Sequence, residues 1–277
     1  MLRTDQLRNR RTKKLGTCLA VAALLAVPCL ASADEVFAVK TTVAIPPSPG
    51  NAAGTLLSFD ISWVDPWLHA YFLADRSNTS IDVIDTKSKT VVHQFMPGFR
   101  GATGNNDNSG PNGVLTINNK GRTEVWAGDG PSAACNTNAG VITPSACTGT
   151  GGSTVKVINY ATGALIANIP TGGLWRADEM CHDPVDNLVM VANDAEADTA
   201  PNVPYVSFIK TEGPNAFKIV KQIKFPEATN GIEQCQWSPR TGLIYLNIPE
   251  VNGTGGDTTD GKCRGHQSAA DGSDQPV

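Results

Sequence analysis

Apolar and polar positions alternate in short bursts along most of this chain. Over residues 70–95 (AYFLADRSNTSIDVIDTKSKTVVHQF) an apolar run ending in Leu73 and Ala74 meets a polar turn at residues 76–79. Ile81 and Val83 follow with the alternation of a half-buried strand. A second polar turn at residues 86–89 then leads through Val91 and Val92 to Phe95. Short β-branched and aromatic runs, broken by polar turns about every ten residues, predict an antiparallel meander. No long stretch carries the 3.6-residue period of an amphipathic helix, so an all-β class is expected.

The meander is repeated. Asp65-Pro66 lies nine residues before Ala74, and Asp183-Pro184 lies nine before Ala192 in DPVDNLVMVAND. The same spacing places Asn118-Asn119 before Ala127 in NNKGRTEVWAG and Ser238-Pro239 before Asn247 in SPRTGLIYLN. Residues 81–95 also align without a gap on residues 155–169, with Val83 on Val157 and Ile84 on Ile158. A third copy is looser, with one strand at 206–209 and another at 217–225. The intervals between Ala74, Ala127 and Ala192 are 53 and 65 residues, the excess lying in loops at 128–153 and 194–204. Radial repetition of four-stranded units at periods near these is the mark of a β-propeller. The expected blades of four antiparallel strands span about 57–95, 110–170, 176–225 and 231–250. The fourth stops after its second strand, so about three and a half blades are expected, from a chain shorter than a full propeller.

The ends of the chain add a compartment. Residues 1–14 carry Arg3, Arg8, Arg10, Arg11, Lys13 and Lys14 against Asp5, an uncharged apolar stretch covers 15–27, and Ala31-Ser32-Ala33 offers a small-x-small cleavage site. That is the pattern of a secretory signal peptide over 1–33, and it predicts a periplasmic or secreted protein. Its apolar stretch is short for a bilayer, and no later segment is suited to membrane insertion. Removing 33 of the 277 residues leaves 244, enough for one sizeable β domain, and shifts the net charge from −4 to −9. So acidic a surface gives no footprint for nucleic acid. Residues 34–56 read as a leader with a weak strand at 36–45 and a proline-rich break, and residues 251–277 as a Gly/Asp/Ser/Thr-rich tail.

Of seven cysteines, Cys18 and Cys29 leave with the signal. Pairing is the default for the rest in an oxidising compartment. Cys135 and Cys147 bracket a polar loop and form the natural local pair. Cys181 in EMCH aligns on Cys235 in EQCQ, so a disulfide between blades competes there with a reactive thiol and is preferred. Cys263 is left over.

One register of the repeat carries candidate chemistry. Five residues before each anchoring turn stand Asp60, Gly113, Asp178 and Glu233, with Glu179 beside Asp178. In a propeller this register lies on or just before the innermost strand. Acids converging there repel unless a cation, a basic ligand or a shared proton offsets them, and hard oxygen ligands suit calcium or another divalent cation. His69, His93, His182 and His266 share no register, and His182 reads as a turn residue. NNDNSG at 105–110 and DTTDG at 257–261 lack the spacing of a calcium loop and read as solvated loops. The five tryptophans read as packing residues.

The stretch FLADRSNTSIDVIDTKSKTVVHQF resembles the YVTN-type propeller repeat, and GPNGVLTIN resembles the turn of NHL-type and gluconolactonase-like propellers. The resemblance covers about residues 57–250 and implies architecture far more than activity. In gluconolactonase-like propellers Glu, Asn and Asp hold a channel metal, which implies Asn112 as a fourth ligand beside Asp60, Asp178 and Glu233. No matching Asp-Gly turn supplies that family's remaining ligand. Two functions follow. The first is an exported propeller that binds a small molecule or protein through a loop face or central channel. The second is a lactonase-type hydrolase dependent on a divalent metal. No catalytic residue is assigned by either.

Overall fold

The computed structural model describes residues 38–133, 151–194 and 203–251. The chain divides into two units, Met1–Thr42 and Val43–Val277. Of the first, only residues 38–42 are described, and they form no regular element. The signal peptide, the Cys135–Cys147 pair, Cys263 and the tail beyond Val251 lie outside the described residues.

The second unit is all β. The first sheet runs in order through β1 (Phe59–Asp65), β2 (Ala70–Asp75), β3 (Ser80–Asp85) and β4 (Thr90–Phe95). The second contains β5 (Val114–Asn119), β6 (Arg122–Asp129), β7 (Thr154–Asn159) and β8 (Leu165–Pro170). The third contains β9 (Ala177–Asp183), β10 (Leu188–Asn193), β11 (Tyr205–Lys210) and β12 (Ile219–Lys224). A two-stranded sheet, β13 (Cys235–Ser238) and β14 (Leu243–Leu246), completes the set among the described residues. All pairings are antiparallel between sequence neighbours. These are three propeller blades and half of a fourth. The weak strand expected at 36–45 does not form over its described part, residues 38–45, which carry no regular structure ahead of Pro46 and Pro47.

The nine-residue spacing has a local cause. Each anchoring acid ends a strand and folds its side chain onto the turn that follows. Asp65 Oδ1 accepts from the amides of Trp67 (2.9 Å) and Leu68 (3.0 Å). Asp183 Oδ1 does the same for Val185 (2.9 Å) and Asp186 (3.1 Å). Asp85 and Asn159 repeat the device at the outer hairpins. The fourth residue after the acid enters the left-handed region, as at His69, Thr79, Lys89 and Asn187, and this is where Gly163 and Gly242 take over.

The core lies between adjacent blades. Phe72, Ala74, Ile81 and Val83 of the first blade pack on Val114, Val125, Ala127 and Ile158 of the second. Leu115, Trp126, Val155 and Val157 then meet Met180, Val189, Val191 and Ile209 of the third. Met190, Ala192, Val206 and Phe208 meet Ile232 and Ile244 of the half blade. Each large side chain so buried contributes roughly 1.5–3 kcal/mol. The first strands stack in turn, β1 beside β5, β5 beside β9 and β9 beside β13. The tryptophans divide: Trp126 and Trp175 are buried, whereas Trp67 is 92% exposed. No helix among the described residues is long and apolar enough to cross a membrane.

Candidate functional site

The acid register converges where the first strands begin. Asp60 lies in β1, Asp178 is the second residue of β9, and Glu233 stands two residues before β13. Gly113 precedes β5, and its position explains the missing carboxylate. A Cβ there would lie 2.2 Å from the Asp178 carbonyl oxygen, so only glycine lets the second and third blades approach.

Electrostatics join the acids into one cluster. Asp60 is pushed up to about 6, first by burial and then by Asp178, while Arg76 and Arg176 oppose the rise and Glu233 adds to it. Glu179 is pushed up to about 9 by burial, Asp178 and Glu233, so it holds a proton at neutral pH. The Gln234 side-chain amide donates to both Glu179 Oε1 (3.2 Å) and Glu233 Oε2 (2.9 Å), tying the third blade to the fourth. The Cys181–Cys235 disulfide fixes the same boundary, with Cα atoms 5.7 Å apart. The expected pairing between blades is present, and neither cysteine is a thiol nucleophile.

Two buried arginines sit among these acids. Arg76 pairs with Asp60 and donates to Asn112 Oδ1 from Nη2 (2.7 Å) and Nε (3.2 Å), and to Asn106 Oδ1 (2.5 Å). Arg176 donates from Nε to Asp178 (2.5 Å) and from Nη1 to Asp107 (2.6 Å), and its Nη2 pairs with Asp194 (2.8 Å). Asn106 and Asp107 belong to a single 3-10 turn, Asn106–Asn108, capped by the Asn105 side chain. The segment 105–110 is therefore no solvated loop: Asp107, Asn108 and Ser109 are buried because guanidinium groups removed from water need oxygen partners. Asn112 is also redirected. Its oxygen faces Arg76 and its amide donates to the Ala177 carbonyl (2.9 Å).

The arginines were not singled out by the repeat, yet the repeat holds a signal for them. Two residues beyond Ala74, Ala127 and Ala192 stand Arg76, Asp129 and Asp194. Each enters a buried ion pair, with Asp60, Lys156 and Arg176 respectively.

The balance of charge remains negative. Among the described residues, six carboxyls (Asp60, Asp107, Asp178, Glu179, Asp194 and Glu233) surround two guanidinium groups. Asp178 Oδ1 and Glu179 Oε2 are buried with no hydrogen-bond partner. Among the described residues, no group of three or more His, Cys, Asp or Glu is arranged to hold a metal ion as it stands. His182 lies in β9 and not in a turn, and burial depresses its imidazole.

No family model matches the sequence, and no curated protein matches it. Solved structures do match in fold. Kuenenia stuttgartiensis hydrazine synthase is 14% identical with a TM-score of 0.50, over 78% of this chain and 53% of that one. Dihydro-heme d1 dehydrogenase NirN is 12% identical with a TM-score of 0.48, over 79% of this chain and 36% of that one. The WD40 propeller domain of Doa1 is 11% identical with a TM-score of 0.41, over 68% and 47%. The chain thus spans about half the length of the hydrazine synthase chain. Likeness at this identity establishes the β-propeller fold and nothing of the chemistry.

Proposed function

We propose that this chain is an exported β-propeller binding protein that takes a positively charged ligand at the cluster of Asp60, Asp178, Glu179 and Glu233. The observation that carries this reading is the unpartnered pair of buried oxygens, Asp178 Oδ1 and Glu179 Oε2, in a cluster whose arginines are outnumbered. A buried carboxyl without an opposing charge neutralises itself by holding a proton, as Glu179 does. A cation, whether calcium or an organic ammonium, offers the same relief and more bonds. The basic and apolar N-terminal segment supports export, and the likeness of the repeats to YVTN and NHL propellers supports binding through the inner strands.

The metal-dependent lactonase reading is weaker on the geometry. It needs Asn112 as a ligand, and the Asn112 side chain is buried with its oxygen and its amide engaged by Arg76 and Ala177.

Chain stripped with a chelator and titrated at pH 8 with calcium chloride, and separately with putrescine, tests the proposal. Saturable binding of either, with a rise in melting temperature that Glu179→Gln with Glu233→Gln removes, is the expected result. Neither cation binding to folded protein sinks the reading. Calcium-dependent turnover of a δ-lactone would replace it with the hydrolase.

A further inference from the structure

A second set of buried acids sits at the hairpin between β2 and β3. Asp75 ends β2, Asn78 lies in the turn, and Ser80 and Asp82 begin β3, with Asp75 opposite Ser80 in the ladder. Ile81 and Val83 face the second blade, so Ser80 and Asp82 point the other way. The leader reaches that outer face, where the Gln94 side chain, opposite Asp82, donates to the Pro46 carbonyl (3.3 Å). Asp75, Asn78, Ser80 and Asp82 are each 0% exposed.

The set is short of positive charge. Asp75 accepts from the Asn78 backbone amide at Oδ1 (3.0 Å) and from Asn78 Nδ2 at Oδ2 (2.6 Å). Asp82 Oδ1 accepts from Ser80 Oγ (2.8 Å), and the Asp82 carboxyl lies against that of Asp75 and near the Gln94 amide. Among the described residues no ion pair reaches either acid. Asp82 Oδ2 and Asn78 Oδ1 are buried with no hydrogen-bond partner. The other complete blades treat this register differently. In β7 it holds Lys156, 3.3 Å from Asp129 Oδ2 at a cleft also lined by Phe99 and Asn168. In β11 it holds Ser207, which accepts from Gln222 (2.9 Å). Of these three strands β3 alone places an acid here, and places it against another acid.

We infer that Asp75, Asn78, Ser80 and Asp82 hold a calcium ion. The donors are all oxygen, which selects a hard cation, and a divalent charge matches two carboxylates. Calcium accepts many oxygens in irregular geometry, whereas magnesium demands an octahedron and keeps several waters, for which a fully buried turn is unsuited. A half-turn of the Asn78 carboxamide exchanges Nδ2 for an oxygen of nearly equal size and brings Oδ1 to the meeting point of the acids. The ion then satisfies both orphaned oxygens. No residue is shared with the acidic cluster, where Asp60 and Glu233 are partly exposed. An ion at the hairpin exchanges only when the blade opens, so it survives chelation of the folded chain.

Chain expressed and purified with calcium chloride present, then dialysed folded against a chelator, tests this by elemental analysis. About one calcium ion per chain is expected to remain. The loaded chain is expected to melt about 5 °C or more above chain refolded from urea in the chelator. Asp82→Asn, nearly isosteric, is expected to retain no ion and to melt alike under both conditions. Asn78→Asp exchanges one oxygen ligand for another, so it should keep the ion and fold poorly without it, where three carboxyls would meet. Glu179→Gln with Glu233→Gln is expected to keep the ion, which separates it from one in the acidic cluster. No retained calcium in the folded parent overturns the inference, as does its loss in that double variant. Asp82→Asn melting as high as the loaded parent also overturns it, since the two acids would then need only a proton or an amide between them.

Discussion

The acidic cluster and the Lys156 cleft both bury charge in an all-β shell, and they balance it in opposite ways. In the cleft one ammonium faces one carboxylate, Asp129, whose other oxygen rests on two backbone amides. In the cluster Arg76 and Arg176 are shared among more acids than they can neutralise, and Glu179 is left holding a proton. Burial raises Asp129 as well, to about 6, but Lys156 opposes it directly. Glu179 has Asp178 and Glu233 pushing the same way as burial, with only a backbone hydrogen bond and then Arg176 opposing them. The difference separates charge that closes a structure from charge that waits for a partner.

Removing the cation from each region should show this most strongly. Arg176→Leu leaves Asp107, Asp178 and Asp194 without their shared guanidinium, and a broken buried pair costs about 3–5 kcal/mol. Lys156→Met strands only Asp129, which keeps two amide donors, and should cost less. Urea unfolding of both variants gives the order. Equal losses would mean that the arginine is no more heavily committed than the lysine.

Next in size is the Cys181–Cys235 bond, which closes a sequence separation of 54 residues. Loop-closure entropy for such a span is about 4 kcal/mol, with measured bonds more often near 2–4. Cys235→Ser should lower unfolding stability by that order. It should also weaken the response to calcium or putrescine, because Gln234 and Glu233 are held against Glu179 at the same seam. A cation response untouched by Cys235→Ser would show that the seam holds without the disulfide.

The parts legible in the sequence were those that repeat. Asp65, Asn118 and Asp183 mark turns because their side chains bond the following backbone, so a nine-residue rule located the first strands and, by counting back, the acids. The alignment of Cys181 with Cys235 worked for the same reason, since equal registers on adjacent first strands come close. Arg76 and Arg176 stayed hidden. Arg76 follows β2 in a polar turn and Arg176 precedes β9, where alternation says nothing about burial. Their environment depends on the turn Asn106–Asn108 folding over them, a long-range event with no local pattern. Asn112 was placed by resemblance among metal ligands, and the neighbour that claimed its oxygen was one of those unseen arginines.

The pH dependence is the most specific to the imbalance. Glu179 titrates near 4.5 in an unfolded chain and is pushed up to about 9 when folded. Between those values the folded state binds the extra proton, so this group's contribution is complete below about pH 4.5 and disappears as pH rises through 9. Stability should therefore decline from pH 5 to pH 9. Asp60, raised to about 6, and Asp82, raised to about 7 by burial and its contact with Asp75, contribute declines of the same sign over lower ranges. Glu179→Gln removes one titration and leaves the others. At pH 5 the variant should match the parent to within about 0.5 kcal/mol, since a protonated acid and an amide are close in shape and charge. Its relative stability should then climb toward pH 9, where the parent ionises beside Asp178 and Glu233. Saturating calcium or putrescine should reduce that gap by supplying the parent with the charge the amide no longer needs. Melting curves of both proteins at pH 5, 7 and 9, with and without the cation, measure it. Parallel pH profiles would place Glu179 outside the cluster's electrostatics and remove the contrast with Asp129.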